Sequence, residues 1–306
     1  MDAAIRSSIL MGLIFALSQL GAIFVAASFL GPEDQIFPDP DDPAIPILYI
    51  LAILGFTFAI LYIIKKKKEN LVRVIFLGAV AYTIFFVVWI VLMSLTVFYA
   101  ALVVSTALTA VIMYYLVKRP EWYVIDAAGI LMSIGIIGIF GISLSILPVL
   151  VLLIALAVYD AISVYGTKHM IALADGVTNM RLPILLVIPK KRGYSYLDQK
   201  PLKQQLDEGG EREAMFMGLG DIIIPGVLVV SAFSFLSDEL VGGISSNLIV
   251  ALGTIVGAIV GFALLMRFVL GGNPQAGLPL LNGGAIAGFM ITYLLVYQDL
   301  SFGITL

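Results

Sequence analysis

Nine long apolar runs constrain this sequence more than any other feature. A run of about 20 apolar residues is long enough, as an α-helix, to cross the ~30 Å hydrocarbon layer of a membrane. The chain is 61% hydrophobic and only 12% charged, which excludes a water-soluble globule with an ordinary polar surface. We therefore predict an all-α membrane protein with nine transmembrane helices. Their approximate limits are 8–30, 44–64, 72–94, 97–117, 124–142, 144–166, 215–236, 246–270 and 278–297.

The distribution of lysine and arginine predicts which ends of these helices face the cytoplasm, because positive charge accumulates in cytoplasmic loops. With the N-terminus inside, the inner segments are 1–7, 65–71, 118–123, 167–214 and 271–277. These segments and the adjoining helix ends hold all 17 basic residues, whereas the outer loop 31–43 carries only acidic charge. We therefore predict a cytoplasmic N-terminus and an extracytoplasmic C-terminus.

A long polar segment divides the chain into three parts. We predict a six-span bundle at 1–166, a partly mobile cytoplasmic loop at 167–214 and a three-span part at 215–306. Within the loop, the apolar stretch Arg181–Pro189 is interrupted by one proline and closed by another. Such a stretch fits either an edge strand or a segment at the membrane interface.

Two aspartates, Asp160 and Asp221, lie inside apolar runs on consecutive predicted spans. Asp160 lies six residues before the inner end of its span, and Asp221 lies six residues after the inner start of the next, so the two share one depth. Ionisable groups are costly in hydrocarbon and mark functional sites. Two adjacent carboxylates cannot both ionise cheaply there, so we expect the pair to share a proton and to act as acid and base, as in an aspartic protease.

The residues around these aspartates resemble a known family. Three motifs occur in order on three predicted spans: Tyr159-Asp160, Gly218-Leu219-Gly220-Asp221 and Leu278-Pro279. Together with the nine spans and the large inner loop, they resemble the presenilin and signal peptide peptidase family of intramembrane aspartyl proteases. Within that family the sequence resembles an archaeal or other microbial presenilin homologue, which implies the cell membrane of a microbe as its location.

The resemblance also implies roles for individual residues. The implied catalytic pair is Asp160 and Asp221, and the implied active-site motif around it is Tyr159, Gly218, Leu219 and Gly220. A loop before the last span, with Gly277, Leu278 and Pro279, would contact the substrate. This loop departs from the family pattern, because Ala276-Gly277-Leu278-Pro279 stands where the family reads Pro-Ala-Leu-Pro.

The implied reaction is hydrolysis of peptide bonds in transmembrane helices, with water as the second reactant and with neither cofactor nor metal. The implied partners are a transmembrane-helix substrate and the lipid bilayer, without nucleic acid, and a homo-oligomer remains open. Since a helix hides its carbonyl groups, the substrate must unwind locally. We expect the Arg181–Pro189 stretch to pair with the extended substrate chain.

Other functions remain open at this point. The buried aspartates would also suit a proton- or cation-coupled transporter or a cation channel, although the inverted repeats typical of many transporters are not evident. A prepilin-type peptidase also uses a Gly-x-Gly-Asp motif. A single histidine, His169, lies just outside a span, which excludes a His-Glu-x-x-His zinc protease and a rhomboid-type serine protease.

Two further features have structural interpretations. Asp126 lies near the inner end of the fifth span, close to Lys118 and Arg119, where snorkelling or a salt bridge is the simpler explanation. The eighth span carries a ridge of glycines at every fourth residue, namely Gly253, Gly257 and Gly261. Such ridges let helices approach closely, and we predict packing within the chain rather than a dimer interface.

Overall fold

The computed structural model of the chain is mostly helical. It describes residues 3–28, 35–37, 39–66, 69–167, 183–191, 193–196, 213–271 and 275–304. The helices within these ranges are α1 (Ala3–Ala26), α2 (Ala44–Lys65), α3 (Glu69–Leu95), α4 (Phe98–Lys118), α5 (Trp122–Ser143), α6 (Ile146–Ile162), α7 (Leu219–Phe235), α8 (Ser246–Leu270) and α9 (Gly277–Tyr297). A π-helical turn, Ser163–Thr167, continues α6.

Most of these helices are able to cross a membrane. In the described part of the chain, seven are long and apolar enough for a span, namely α1, α3, α4, α5, α6 with its π-helical turn, α8 and α9. The apolar helix α2 has 22 residues, and α7 is shorter, with 17. The protein is therefore an integral, multi-pass membrane protein, while the count of nine spans stays a prediction.

The chain also contains strands, which corrects the all-α prediction. Strand β1 (Leu185–Pro189) pairs antiparallel with β2 (Ala214–Gly218), and β3 (Leu240–Val241) pairs with β4 (Ile244–Ser245). The stretch expected to be an edge strand or an interfacial segment is thus a strand over 185–189. Residues 215–218, predicted as the start of the seventh span, are extended instead, because a short apolar run fits a strand as well as a helix.

The core of the bundle surrounds α7. Residues 225–232 of this helix are all buried, as expected for a helix enclosed by neighbours on every side. Polar contacts fix the helices nearby: Ser231 Oγ donates to the carbonyl oxygen of Leu144 at 2.8 Å, and Asn282 Nδ2 on α9 donates to that of Leu153 on α6 at 2.9 Å. The helix that begins just before Asp221 is therefore held in the centre of the molecule.

The glycine ridge of α8 packs against α9. A Cβ atom at Gly257 would overlap main-chain atoms of Gly284 and Gly288, and one at Gly261 would overlap the main chain of Leu280. The two helix backbones are therefore in direct contact. This confirms the prediction that the ridge serves packing within the chain.

Replacing Gly257 by alanine tests this contact. Because the new methyl group meets main-chain atoms that cannot rotate away, we expect the free energy of unfolding to fall by about 1–3 kcal/mol, measured as a lower midpoint of denaturation in detergent. Gly78→Ala is the matched control, since a Cβ at Gly78 meets no atom within 4 Å. Equal midpoints for both variants would contradict the packing described.

Candidate active site

Asp160 lies at the end of α6, just before the π-helical turn. Its side chain is buried, with 6% of the residue exposed. Its Oδ2 atom accepts a hydrogen bond from the main-chain N–H of Leu278 at 3.0 Å, and the main chain of Gly277 also interacts with this carboxyl group. A residue at the end of one helix is thus joined to the start of another that follows more than a hundred residues later.

Asp221 lies in the first turn of α7. Strand β2 ends at Gly218, and the helix begins at the next residue, whose N–H still donates to the carbonyl oxygen of Ile184 at 3.0 Å. The carboxyl group folds back over Gly218, where a Cβ atom would lie 3.4 Å from Oδ2. A carboxylate in the first turn is also favoured by the positive end of the helix dipole.

The start of α9 brings the two carboxyl groups together. A Cβ atom on Gly277 would lie 3.2 Å from Asp221 Oδ1, while the next residue, Leu278, donates its N–H to Asp160. Asp160 and Asp221 also interact electrostatically with each other. Pro279 follows in the first turn of α9, where a proline is tolerated. The two aspartates and the loop expected to lie near them are therefore adjacent in the structure.

The local structure that leads to Asp221 differs from the prediction. The predicted helix start at residue 215 placed Asp221 six residues inside its span, but α7 begins at Leu219. The five extended residues of β2 instead carry the chain up to the site. The expected meeting of the aspartates holds, and the local structure that produces it differs.

The remaining residues of the expected motif differ in their surroundings. Tyr159 is 55% exposed, so its ring is not enclosed by the described residues. Leu219 is buried, and its Cδ2 atom lies 3.2 Å from where a Cβ would stand on Gly129 of α5. A Cβ on Gly220 would meet no atom within 4 Å. Leu219 therefore anchors the start of α7, and Gly220 borders open space.

A tyrosine that the sequence did not single out holds the loop before α9. The hydroxyl group of Tyr165, in the π-helical turn, donates to Gln275 Oε1 at 2.7 Å and accepts the N–H of Ala276 at 3.4 Å. Single-turn π-helices occur often at functional sites. A tyrosine at the end of a span is ordinarily assigned to the membrane interface, so the sequence held no specific signal for this role.

Asp126 has a different partner from the one expected. It is 5% exposed, and its Oδ1 atom accepts the N–H of Val187 in β1 at 2.7 Å. Among the described residues, the ion pair is Lys191 with Glu213, so Asp126 forms no salt bridge there. The expected snorkelling or salt bridge with Lys118 or Arg119 is wrong, because the aspartate faces the antiparallel pair of β1 and β2, called here the β1–β2 hairpin.

Metal ligands are not clustered in the part of the chain described. Within those ranges, no group of three or more histidine, cysteine, aspartate or glutamate side chains could hold an ion. His169 and the first two residues of the Arg181–Pro189 stretch lie outside the described residues.

Comparison with known proteins gives a consistent result. The family model described as signal-peptide peptidase, presenilin aspartyl protease matches residues 11–297. A solved structure of a presenilin family intramembrane aspartate protease, in space group C222, is 35% identical, with a TM-score of 0.71, and the match covers 94% of this chain and 99% of that one. A second, in space group P2, is 35% identical, with a TM-score of 0.61 and coverages of 93% and 96%. The comparison with curated proteins found no match.

Replacing Tyr165 by phenylalanine tests whether its hydroxyl group restrains the loop before α9. Loss of the hydroxyl group removes a hydrogen bond worth about 0.5–1.5 kcal/mol. We therefore expect the amides of residues 276–278 to exchange with deuterium roughly 2- to 12-fold faster. Tyr114→Phe is the control, since Tyr114 is exposed on α4, far along the chain from the loop. Unchanged exchange in the Tyr165 variant would show that the hydroxyl group does not restrain this loop.

Proposed function

Because the chain belongs to the signal-peptide peptidase and presenilin family of aspartyl proteases, we propose that Asp160 and Asp221 are its two catalytic groups. The protein is an aspartic endopeptidase that works within the membrane. One observation supports the assignment of residues: the start of α9 lies beside both carboxyl groups, since the N–H of Leu278 donates to Asp160 and a Cβ atom on Gly277 would lie 3.2 Å from Asp221 Oδ1. Membership of this protease family does not favour a coupled transporter or a channel.

The pair works as one acid and one base that share a proton. The ionised carboxylate takes a proton from water as the water oxygen bonds to the scissile carbonyl carbon, and the protonated carboxyl group gives its proton to the carbonyl oxygen. In the second step the C–N bond breaks. The leaving nitrogen receives the proton taken from water, and a hydroxyl group of the tetrahedral intermediate returns a proton to the other carboxylate. The pair ends with one proton, as it began.

The residues beside the pair keep this geometry open to a substrate. The N–H of Leu278 donates to Oδ2 of Asp160 and so fixes the orientation of this carboxyl group beside the reacting water. Gly277 has no side chain, and a Cβ atom there would lie against Asp221. Gly220 has none either, and a Cβ atom there would lie in open space. A substrate main chain can therefore approach the carboxyl groups closely.

The substrate is a transmembrane helix that must become extended at the cut. In an apolar environment its freed N–H and C=O groups need partners, and the edge of a strand supplies them. The expected partner was the Arg181–Pro189 stretch. However, the edge of β1 that faces away from β2 is occupied, since Asp126 binds the N–H of Val187 and Ser7 Oγ donates to the carbonyl oxygen of Pro189 at 3.0 Å.

Strand β2 offers the better edge. The ladder bonds join Leu219 to Ile184 and Lys190 to Glu213, so the N–H and C=O groups of Phe216, which lies between, point away from β1. No further strand pairs with this edge among the described residues. A substrate strand placed there would run toward Asp221, which follows β2 directly along the chain.

The apolar helices and the positions of lysine and arginine support an arrangement of the protein in the membrane. We infer nine spans, with α2 and α7 added to the seven long apolar helices, a cytoplasmic N-terminus and an extracytoplasmic C-terminus. The bias of lysine and arginine supports this orientation. The cell membrane of a microbe is the proposed location, and because α9 covers the glycine ridge, a homo-oligomer would need another surface.

Replacing either aspartate by asparagine tests the dyad. Asparagine keeps the shape of the side chain but cannot exchange the proton, so we expect Asp160→Asn and Asp221→Asn each to lose cleavage of a fluorogenic single-span substrate by at least about a thousandfold. Asp299→Asn is the control, because Asp299 lies beyond the end of α9. Cleavage by either dyad variant at the rate of the control would overturn the assignment.

Replacing Phe216 by proline tests the substrate edge. Proline removes the outward N–H but leaves the ladder to β1, so we expect kcat/KM to fall about tenfold while the folded fraction is kept. Phe216→Ala retains this N–H and removes only the ring, so it should retain more activity than the proline variant. Equal kcat/KM for the two variants would show that the backbone edge is not used.

A further inference from the structure

A buried carboxyl group on α5 holds one edge of the hairpin. The N–H of Val187 faces away from β2 into surroundings without solvent, since Val187 is fully buried. An unpaired N–H there would be costly. Asp126 Oδ1 accepts it at 2.7 Å, and this aspartate is itself 5% exposed. The hydrogen bond therefore joins two parts of the chain that are buried together and 61 residues apart.

The same side of α5 also receives the start of α7. Gly129 lies about one helical turn after Asp126. A Cβ atom on Gly129 would stand 3.2 Å from Leu219 Cδ2 and 3.5 Å from Leu186 Cδ2. Strand β1 and the first residue of the Asp221 helix thus rest on one face of α5, next to the carboxyl group that holds the strand.

The position of Asp221 depends on the position of the β1–β2 hairpin. Strand β1 pairs with β2 along its whole length, with Leu185 opposite Gly218. The ladder continues into the helix through the N–H of Leu219, which donates to the carbonyl oxygen of Ile184 at 3.0 Å. Asp221 follows within the same turn. A shift of β1 relative to α5 would therefore move Asp221 relative to Asp160.

We propose that Asp126 is a positioning residue for Asp221, acting as the acceptor that fixes β1 against α5. The inference rests on the proposed catalytic role of Asp221. Asp126 touches neither substrate nor the reacting atoms in this account. What matters is the length of its side chain and its acceptor oxygen, because among the described residues it makes no ion pair and its Oδ2 atom has no hydrogen-bond partner.

Length and charge can be separated by two substitutions. Asp126→Asn keeps the length and an acceptor oxygen but removes the charge. Asp126→Glu keeps the charge but adds a methylene group, which pushes β1 away from α5. A positioning role predicts an active asparagine variant and a slow glutamate variant, whereas a role of the charge predicts the reverse. Asp126→Leu removes the acceptor altogether.

The test measures kcat per folded molecule of the full chain in detergent, with a fluorogenic single-span substrate, and maps the cleaved bonds by mass spectrometry. We expect Asp126→Asn to stay within about threefold of wild type, since its acceptor remains. We expect Asp126→Glu and Asp126→Leu to lose about 10- to 100-fold in kcat and to cut at neighbouring bonds, since small displacements of a reacting group have such effects. If Asp126→Leu fails to fold, the comparison of asparagine with glutamate decides.

Two controls separate the possible failures. Ser133→Ala removes a buried polar group from the same helix, where Ser133 Oγ donates to the carbonyl oxygen of Gly129 within α5, and it should retain wild-type kcat. Asp221→Asn must be inactive in the same assay. An active Asp221→Asn variant would overturn the proposed catalytic role of Asp221. If Asp221→Asn is inactive, two results would overturn only the role of Asp126. The first is a wild-type kcat and cleavage site for Asp126→Glu, and the second is an Asp126→Asn variant as slow as Asp126→Leu.

Discussion

The need to pair every backbone N–H and C=O group in an apolar environment governs this structure. Helices meet that need internally, and most of the described chain is helical. The β1–β2 hairpin is the exception beside the aspartates, because a two-stranded sheet has two outer edges. Side chains of α1 and α5 close the edge of β1 through Ser7 and Asp126. On the outer edge of β2, the backbone of Gly218 interacts with Asp221 itself, and no strand among the described residues pairs with this edge.

The same constraint explains how a protease can act on a helix. A transmembrane substrate must give up internal hydrogen bonds before water can reach a carbonyl group, and this is costly unless new partners are present. In the proposed mechanism, the outer edge of β2 supplies these partners beside the two carboxyl groups that act as acid and base. The start of α9 completes the site from the other side, through Gly277 and Leu278. Substrate unwinding and hydrolysis are thus assigned to adjacent parts of one site.

The sequence predicted the long helices and the proximity of Asp160 and Asp221 better than the elements that join them. Apolar runs and the positions of lysine and arginine suffice for long spans, and the cost of a carboxyl group in hydrocarbon singles out Asp160 and Asp221. Residues 215–218 were misassigned because Met-Phe-Met-Gly is apolar in either conformation, and its extended form depends on pairing with a distant strand. The partners of Asp126 and Tyr165 lie 61 and 110 residues away, and no local pattern encodes such contacts.

A structure of the Asp221→Asn variant with a single-span substrate bound would test the central claim most directly. The predicted result is a substrate that is helical on one side of the cut and extended alongside residues 214–218, with the scissile carbonyl group between residues 160 and 221. A substrate that remains helical at the cut, or that lies along the opposite edge of the hairpin, would contradict the account.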